Sequence, residues 1–135
     1  QDLPVNKRGK VDDKRIREWF NSNITYPDIV GYLNNGENVE LDLIFPKNSN
    51  FFQGHFPEFP ILPGVVQLFF ANEFSKDIFN IDFIPEKTKK IKFSSIIKPD
   101  TKVKLVLTKG EKSIDYKYVD YENYEKIFSS GTFVL

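Results

Sequence analysis

The sequence predicts an α+β fold in which an antiparallel sheet wraps around one central buried helix, with a short helical extension at the N-terminus. The first observation is Gly64–Phe79, a stretch with no internal proline that is apolar nearly all round, as is typical of a buried helix. The second is that β-rich segments dominate on both sides of it. The segments after the helix are 86–97, 102–109, 113–121 and 125–134. This order favours a single sheet-and-helix unit.

The segments before the helix are also predicted to be strands. Val39–Phe45 alternates apolar and polar residues, which indicates a strand with one buried face. Ile29–Leu33 is a weaker strand, and residues 46–63 are irregular because they contain four prolines. Lys109-Gly110-Glu111 has the composition of a hairpin turn.

The first 20 residues differ from the rest of the chain. Residues 12–20 predict one short helix, with Ile16, Trp19 and Phe20 on one side. All three arginines lie within the first 17 residues, and the 135 residues contain no methionine. These features lead us to expect a piece of a longer polypeptide, with a boundary near residues 21–25.

The composition narrows the classes of function. The net charge is zero, so no general attraction to nucleic acid is expected. The chain has no cysteine and one histidine, which argues against a thiolate or polyhistidine metal site. Because no apolar run reaches 18 residues and no signal peptide is visible, we expect a cytoplasmic protein without a membrane span.

The segment from Phe51 to Gln67 carries the most chemical information. It places the only histidine, His55, in a proline-rich loop that ends where the predicted helix begins at Gly64. The N–H groups of Gly64 and Val65 belong to the first helical turn, where amides lack intrahelical acceptors. Such donors stabilise a carbonyl oxygen that gains negative charge, and an imidazole can move a proton. Alternatively, the loop is only a rigid connection in which His55 binds a backbone carbonyl.

Eight residues of this segment resemble the signature of the 3-hydroxyacyl-carrier-protein dehydratases of the hotdog superfamily. They are Gly54, His55, Phe56, Pro57, Pro60, Pro63, Gly64 and Val65. The resemblance covers roughly residues 24–135, and it is strong to the dehydratase-like domains of aryl-polyene-type lipid gene clusters. Those domains also have counterparts of three further segments, which are Lys92-Phe93, Lys98-Pro99-Asp100 and Ser129–Gly131.

The resemblance implies a mechanism and its partners. His55 would take a proton from C2 of a 3-hydroxyacyl thioester, while Gly64 N–H would bind the thioester carbonyl. Phe56, Pro63 and Val65 would line the substrate site. No cofactor is implied, since the acyl group would be carried on the phosphopantetheine of acyl carrier protein or coenzyme A. A homodimer with a continuous sheet is implied as well, because the family's site is made by two subunits.

The sequence departs from the family pattern at position 69. The family has a carboxylic acid 14 residues after the histidine, whereas this chain has Phe69. A positioned acid is worth about 10²–10⁴ in rate. Glu73 lies at i+4 on the same helix face and is the nearby candidate for a replacement, or else it forms an ion pair with Lys76. Phe69 lines an acyl channel or packs in the core.

Residues 1–22 resemble the C-terminal motif of AMP-forming acyl ligases. Pro4, Gly9 and Lys10 match that motif, in which the lysine contacts the carboxylate and phosphate during adenylation. The alternative is a basic linker. The predicted organisation is therefore a ligase remnant or linker over 1–22 and a hotdog domain over 23–135.

Three functions remain open from the sequence. A dehydratase acting in fatty-acid or polyene-lipid biosynthesis agrees with the His55 loop. A degenerate hotdog that binds an acyl thioester, or dimerises a fused ligase, agrees with Phe69. An acyl thioesterase would use Glu73 or Asn72 to position water, but it fits the proline-rich loop poorly. The lysines near one strand form either a docking patch for an acidic carrier protein or an ordinary solvated face. They are Lys87, Lys89, Lys90 and Lys92.

Overall fold

The computed structural model describes residues 26–47, 62–81 and 87–135. In chain order the elements are β1 (Asp28–Asn34), β2 (Asn38–Ile44), α1 (Gly64–Phe79), β3 (Lys87–Phe93), β4 (Lys102–Lys109), β5 (Ser113–Asp120) and β6 (Ile127–Val134). The strands form one six-stranded sheet in the order β1-β2-β4-β5-β6-β3, and each neighbouring pair is antiparallel. The predicted α+β architecture is confirmed.

One face of the sheet, called here the inner face, packs against α1. The alternation in β2 places Val39, Leu41 and Leu43 on this face, where they are at most 2% exposed. Leu41 pairs with Leu105 of β4, which in turn pairs with Tyr118 of β5, so apolar side chains run across the sheet in rows. In β2 the period-2 pattern of the sequence therefore decides which face of the strand is buried.

The helix α1 is enclosed, as its all-round apolar composition predicts. Asp77 is the single exposed residue between Gly64 and Phe79. Phe70 is fully buried and its ring contacts the rings of Phe45 and Phe74, with centroids 5.8 Å and 6.0 Å away. The helix ends at Asn80, whose left-handed conformation lets its N–H donate to the carbonyl of Lys76.

Two of the predicted turns are present. Gly110 N–H donates to the carbonyl of Ser113 at 2.8 Å and closes the hairpin between β4 and β5. The turn at Pro99 and Asp100 joins the strand region after β3 to the end of β2, because Asp100 N–H donates to the carbonyl of Phe45. Its carboxylate also accepts from Lys47 N–H at 2.9 Å.

The outer face of the sheet carries an ionic cluster around Lys104. The ammonium group lies 2.8 Å from an oxygen of Asp42 and 3.1 Å from an oxygen of Glu40. Burial lowers the pKa of Lys104, but hydrogen bonds with Asp42, Glu40 and Tyr124 outweigh it, so the net pKa lies above the usual value. The cluster binds β2 to β4 across the sheet.

β3 differs slightly from its prediction. It ends at Phe93 rather than continuing to residue 97, and its pairing with β6 shifts register between Lys89 and Lys92. Lys90 adopts a positive φ of 59° at this irregularity, while Ile91 packs against the core. Lys90 and Lys92 are exposed, as alternation predicts for a solvated face, and Lys89 is exposed as well.

Some predictions lie outside the described residues. They are the helix over 12–20, the ligase-like motif with Lys10, and the proposed boundary near 21–25. Within the described residues, no helix has the length and hydropathy needed to cross a bilayer.

Candidate active site at the helix N-terminus

The N-terminus of α1 presents backbone donors that no side chain of the described residues caps. Pro63 is extended, with φ −60° and ψ 146°, and the first turn holds no acidic residue. The Pro63 carbonyl accepts from the N–H groups of Val66 and Gln67 at 3.1 Å and 3.2 Å. Within the described segments, no acceptor receives the N–H of Gly64 or Val65. These two amides are therefore available for an oxygen atom that carries negative charge.

Gly64 also lies directly against the sheet. A Cβ atom at this position would come within 2.7 Å of Cζ of Phe93, in β3. Glycine therefore allows the first turn to approach the phenyl ring closely. Phe93 faces the helix, yet it is 51% exposed, so the surface beside Gly64 is apolar and open.

A buried polar network holds the turn before the helix. Gln67, which is 3% exposed, donates from Nε2 to the carbonyl of Leu62 at 3.1 Å. Its Oε1 accepts from the hydroxyl of Ser129 at 2.6 Å, and Ser129 is itself fully buried. Leu62 N–H donates to the carbonyl of Ile97 at 2.8 Å. The Gln67 side chain therefore points to the sheet.

Two buried tyrosines lie beside this network. The Tyr118 hydroxyl donates to the backbone carbonyl of Gln67 at 2.8 Å. Burial raises the pKa of Tyr118 well above its usual value, and the neighbouring Tyr116 adds to the shift. Burial also raises the pKa of Tyr116, an effect that Ser129 partly offsets. Both phenols therefore stay neutral over the physiological range. The Tyr118 hydroxyl acts here as a hydrogen-bond donor, whereas the Tyr116 hydroxyl is buried without a hydrogen-bond partner among the described residues.

Phe69 and Glu73 lie further along α1. Phe69 is 9% exposed, and its ring contacts that of Phe70 edge to face at 5.2 Å, so it packs in the core. Glu73 has Lys76 as one partner, with 4.0 Å between the carboxylate oxygen and the ammonium nitrogen. From the helical rise, Glu73 lies about 13 Å beyond Gly64 along the axis, against about 7 Å for Phe69. A carboxylate at 73 is therefore one helical turn further from the amides than the family's acid.

The site residues predicted from sequence divide into two groups. Pro63, Gly64 and Val65 lie together at the start of α1, where Val65 also packs against the core. His55 and Phe56 lie outside the described residues, and their roles remain predictions. No group of three or more His, Cys, Asp or Glu side chains that could bind a metal ion occurs in the described part of the chain.

Three residues of the site region had no assigned function in the sequence analysis: Gln67, Tyr118 and Ser129. A signal for two of them was present. Gln67 is the one polar side chain in the stretch from Gly64 to Ala71, and Ser129 occupies an inward position of a strand. Since buried polar groups are nearly always hydrogen-bonded, two such residues are expected to find each other.

The six-stranded antiparallel sheet around one buried helix is the hotdog fold. The family model of the ApeI-like dehydratases, described as ApeI dehydratase, matches residues 32–132. The chain therefore belongs to the ApeI-like dehydratase family.

Solved structures agree with this fold. The dehydratase heterocomplex ApeI:P from Xenorhabdus doucetiae superposes with a TM-score of 0.73 at 18% identity, over 82% of this chain and 97% of that one. An uncharacterised protein from Erwinia carotovora subsp. atroseptica superposes with a TM-score of 0.69 at 26% identity, over 82% and 95%. No curated protein matches the sequence.

Proposed function

We propose that this protein dehydrates 3-hydroxyacyl thioesters in fatty-acid or polyene-lipid biosynthesis. The observation that carries the proposal is the first turn of α1, where the N–H groups of Gly64 and Val65 have no acceptor among the described residues and the half-exposed ring of Phe93 lies next to Gly64. A thioester carbonyl bound there gains negative charge when C2 loses a proton. Preorganised amides stabilise that charge without reorganising during the reaction.

The proposed reaction is an elimination of water. Neutral His55 takes the C2 proton, the C2–C3 double bond forms as the C3–O bond breaks, and the hydroxyl leaves as water after accepting a proton. The product is a 2-enoyl thioester. The family match and the proline-rich loop that leads to Gly64 support the role of His55. The carrier of the thioester is either acyl carrier protein or coenzyme A.

The source of the proton for the leaving hydroxyl is the open step of this proposal. Phe69 packs in the core at the position of the family's acid. Glu73 is the nearest carboxylate that follows it on the helix, and it lies near Lys76. We propose Glu73 as the surrogate acid, with a purely structural ion pair as the alternative.

A second candidate function is a binding or dimerisation module that has lost catalysis. The core packing of Phe69 favours it, since a phenyl ring cannot transfer a proton. Such a module retains the amides that bind a thioester carbonyl but does not turn the substrate over.

Hydration of enoyl thioesters, the reverse reaction, distinguishes these two functions. We expect the wild type to consume crotonyl and longer 2-enoyl thioesters, and His55→Ala to lose about 10²–10⁴ in rate. Thioesters of coenzyme A and of carrier protein are compared in parallel. If the wild type is inactive with every chain length on both carriers, the dehydratase proposal fails.

Glu73→Gln tests the surrogate acid, and Lys76→Gln is its matched control. If Glu73 transfers the proton, Glu73→Gln lowers kcat by about 10²-fold or more while Lys76→Gln, which keeps the carboxylate, retains most of it. Equal and small effects of both substitutions indicate that the pair is only structural.

A further inference from the structure

We infer that Gln67 is the positioning residue that aims the N–H of Gly64 at the thioester carbonyl. The inference rests on the proposed dehydratase function. It adds a residue that does not contact substrate but acts through the backbone of the turn. The observation behind it is that the two polar atoms of one buried amide join that turn to β6.

The position of Gly64 N–H depends on residues 62–64. Leu62 is held at its N–H by the carbonyl of Ile97 and at its carbonyl by Nε2 of Gln67. Pro63 restricts its own φ to −60°, and Phe93 lies against Gly64 from the other side. The Gln67 side chain ties Leu62 to the helix, beside the bonds that the Pro63 carbonyl accepts from the N–H groups of Val66 and Gln67.

The Gln67 side chain is itself held in place. The Ser129 hydroxyl donates to Oε1 at 2.6 Å and sets the orientation of the amide, so that Nε2 faces Leu62. A buried amide group supplies one acceptor and one donor at the same location, which no apolar or carboxylate side chain does. Leu62 is 2% exposed, so water does not replace a lost partner of its carbonyl. Leaving that carbonyl without a hydrogen bond therefore lowers the stability of the folded state.

The consequence for catalysis is specific. Removing one oxyanion donor costs about 10²–10³ in kcat, and a donor displaced by a fraction of an ångström loses part of that stabilisation. Because the carbonyl is more negative in the transition state than in the bound substrate, misplacing the donor lowers kcat more than it raises KM.

The experiment measures kcat and KM for enoyl-thioester hydration in Gln67→Leu, Ser129→Ala and Ser75→Ala. Gln67→Leu removes both hydrogen bonds, and Ser129→Ala removes only the bond that orients the amide. Ser75→Ala is the matched control, since the Ser75 hydroxyl makes a buried hydrogen bond to the carbonyl of Ala71 on the same helix, away from the turn. Thermal melts of all variants set an assay temperature at which each is folded.

We expect kcat to fall about tenfold in Gln67→Leu and about threefold in Ser129→Ala, with KM within about twofold and Ser75→Ala at the wild-type level. Unchanged kcat in both network variants overturns the inference, as does an equal loss in Ser75→Ala. If Gln67→Leu does not fold, Ser129→Ala decides by the same criteria. If the wild type shows no turnover, the proposed function is wrong. If the wild type is active and both network variants are equally active, only the inference on Gln67 is wrong.

Discussion

At the scale of single residues, two glycines permit close packing against aromatic rings. Gly64 lies against Phe93, whose ring is half exposed and has room to turn. A Cβ at Gly131 would lie 2.7 Å from the ring of Tyr116 and would also clash with Ile91. Tyr116 is 2% exposed and stacks on Phe133, with centroids 5.5 Å apart. The surroundings of Gly131 are therefore rigid, whereas those of Gly64 can adjust.

We expect Gly131→Ala to lower the free energy of unfolding by about 1–3 kcal/mol, as overpacking of a filled core does. Gly64→Ala is expected to change it by less than about 1 kcal/mol, because Phe93 rotates away and alanine favours helix over glycine. Urea denaturation of the two variants beside the wild type measures both. If Gly64→Ala lowers the free energy of unfolding by more than about 1 kcal/mol, Phe93 does not rotate away and the expectation is wrong.

At the scale of elements, α1 and the sheet are joined by buried hydroxyl groups as well as by apolar contacts. Tyr118 of β5 donates to the backbone of α1, and its phenol is in the core where water cannot solvate a phenolate. In the unfolded chain the same phenol ionises near its ordinary pKa of about 10. The raised pKa in the folded state therefore links stability to pH.

We expect the free energy of unfolding to depend little on Tyr118 below about pH 9 and to fall as the pH rises above about 10, since only the unfolded chain then releases the proton. In Tyr118→Phe the urea midpoint is lower at neutral pH because a buried hydrogen bond is lost, but its decline above pH 10 is shallower. The control is Tyr32→Phe at an exposed tyrosine, which should retain the wild-type profile. Parallel alkaline profiles for Tyr118→Phe and wild type would refute the link.

At the scale of the whole molecule, the sheet has two different edges. β1 forms one edge and has exposed apolar side chains, among them Ile29, Tyr32 and Leu33. It lies four strands away from β6, which holds the Ser129 that binds Gln67. β3 forms the other edge, and Phe93 in it touches Gly64. If a second subunit completes the proposed site, we expect it to approach over the β3 edge, where Ile96 is also 51% exposed.

We expect the wild type to be a homodimer, with a mass in light scattering near twice the 15.8 kDa of one chain. Ile96→Glu places a charge beside the β3 edge and should shift the protein to monomer with loss of activity, because a buried unpaired charge destabilises an interface. Leu33→Glu at the β1 edge is the matched substitution and should leave the dimer intact. A monomeric wild type at micromolar concentration, or dissociation by Leu33→Glu alone, would exclude this arrangement.

Several elements could be predicted because their signals are local. The alternation of Val39–Phe45 and the apolar, proline-free stretch Gly64–Phe79 produced bounds within one residue of β2 and α1. Gly64 was assigned to the site because a glycine after a proline at a helix start exposes amides whatever surrounds it. The early end of β3 was not predicted, since a register shift depends on how β3 meets β6.

By itself, therefore, the sequence determined the fold class, the helix and the amide-rich turn at its start, because periodicity and backbone chemistry act over a few neighbouring residues. Only the tertiary structure decided that Gln67 meets Ser129, that Phe93 covers Gly64 and that Phe69 packs in the core. Those contacts join residues far apart in the chain. Their partners are chosen by the packing of α1 against the sheet, which no local pattern records.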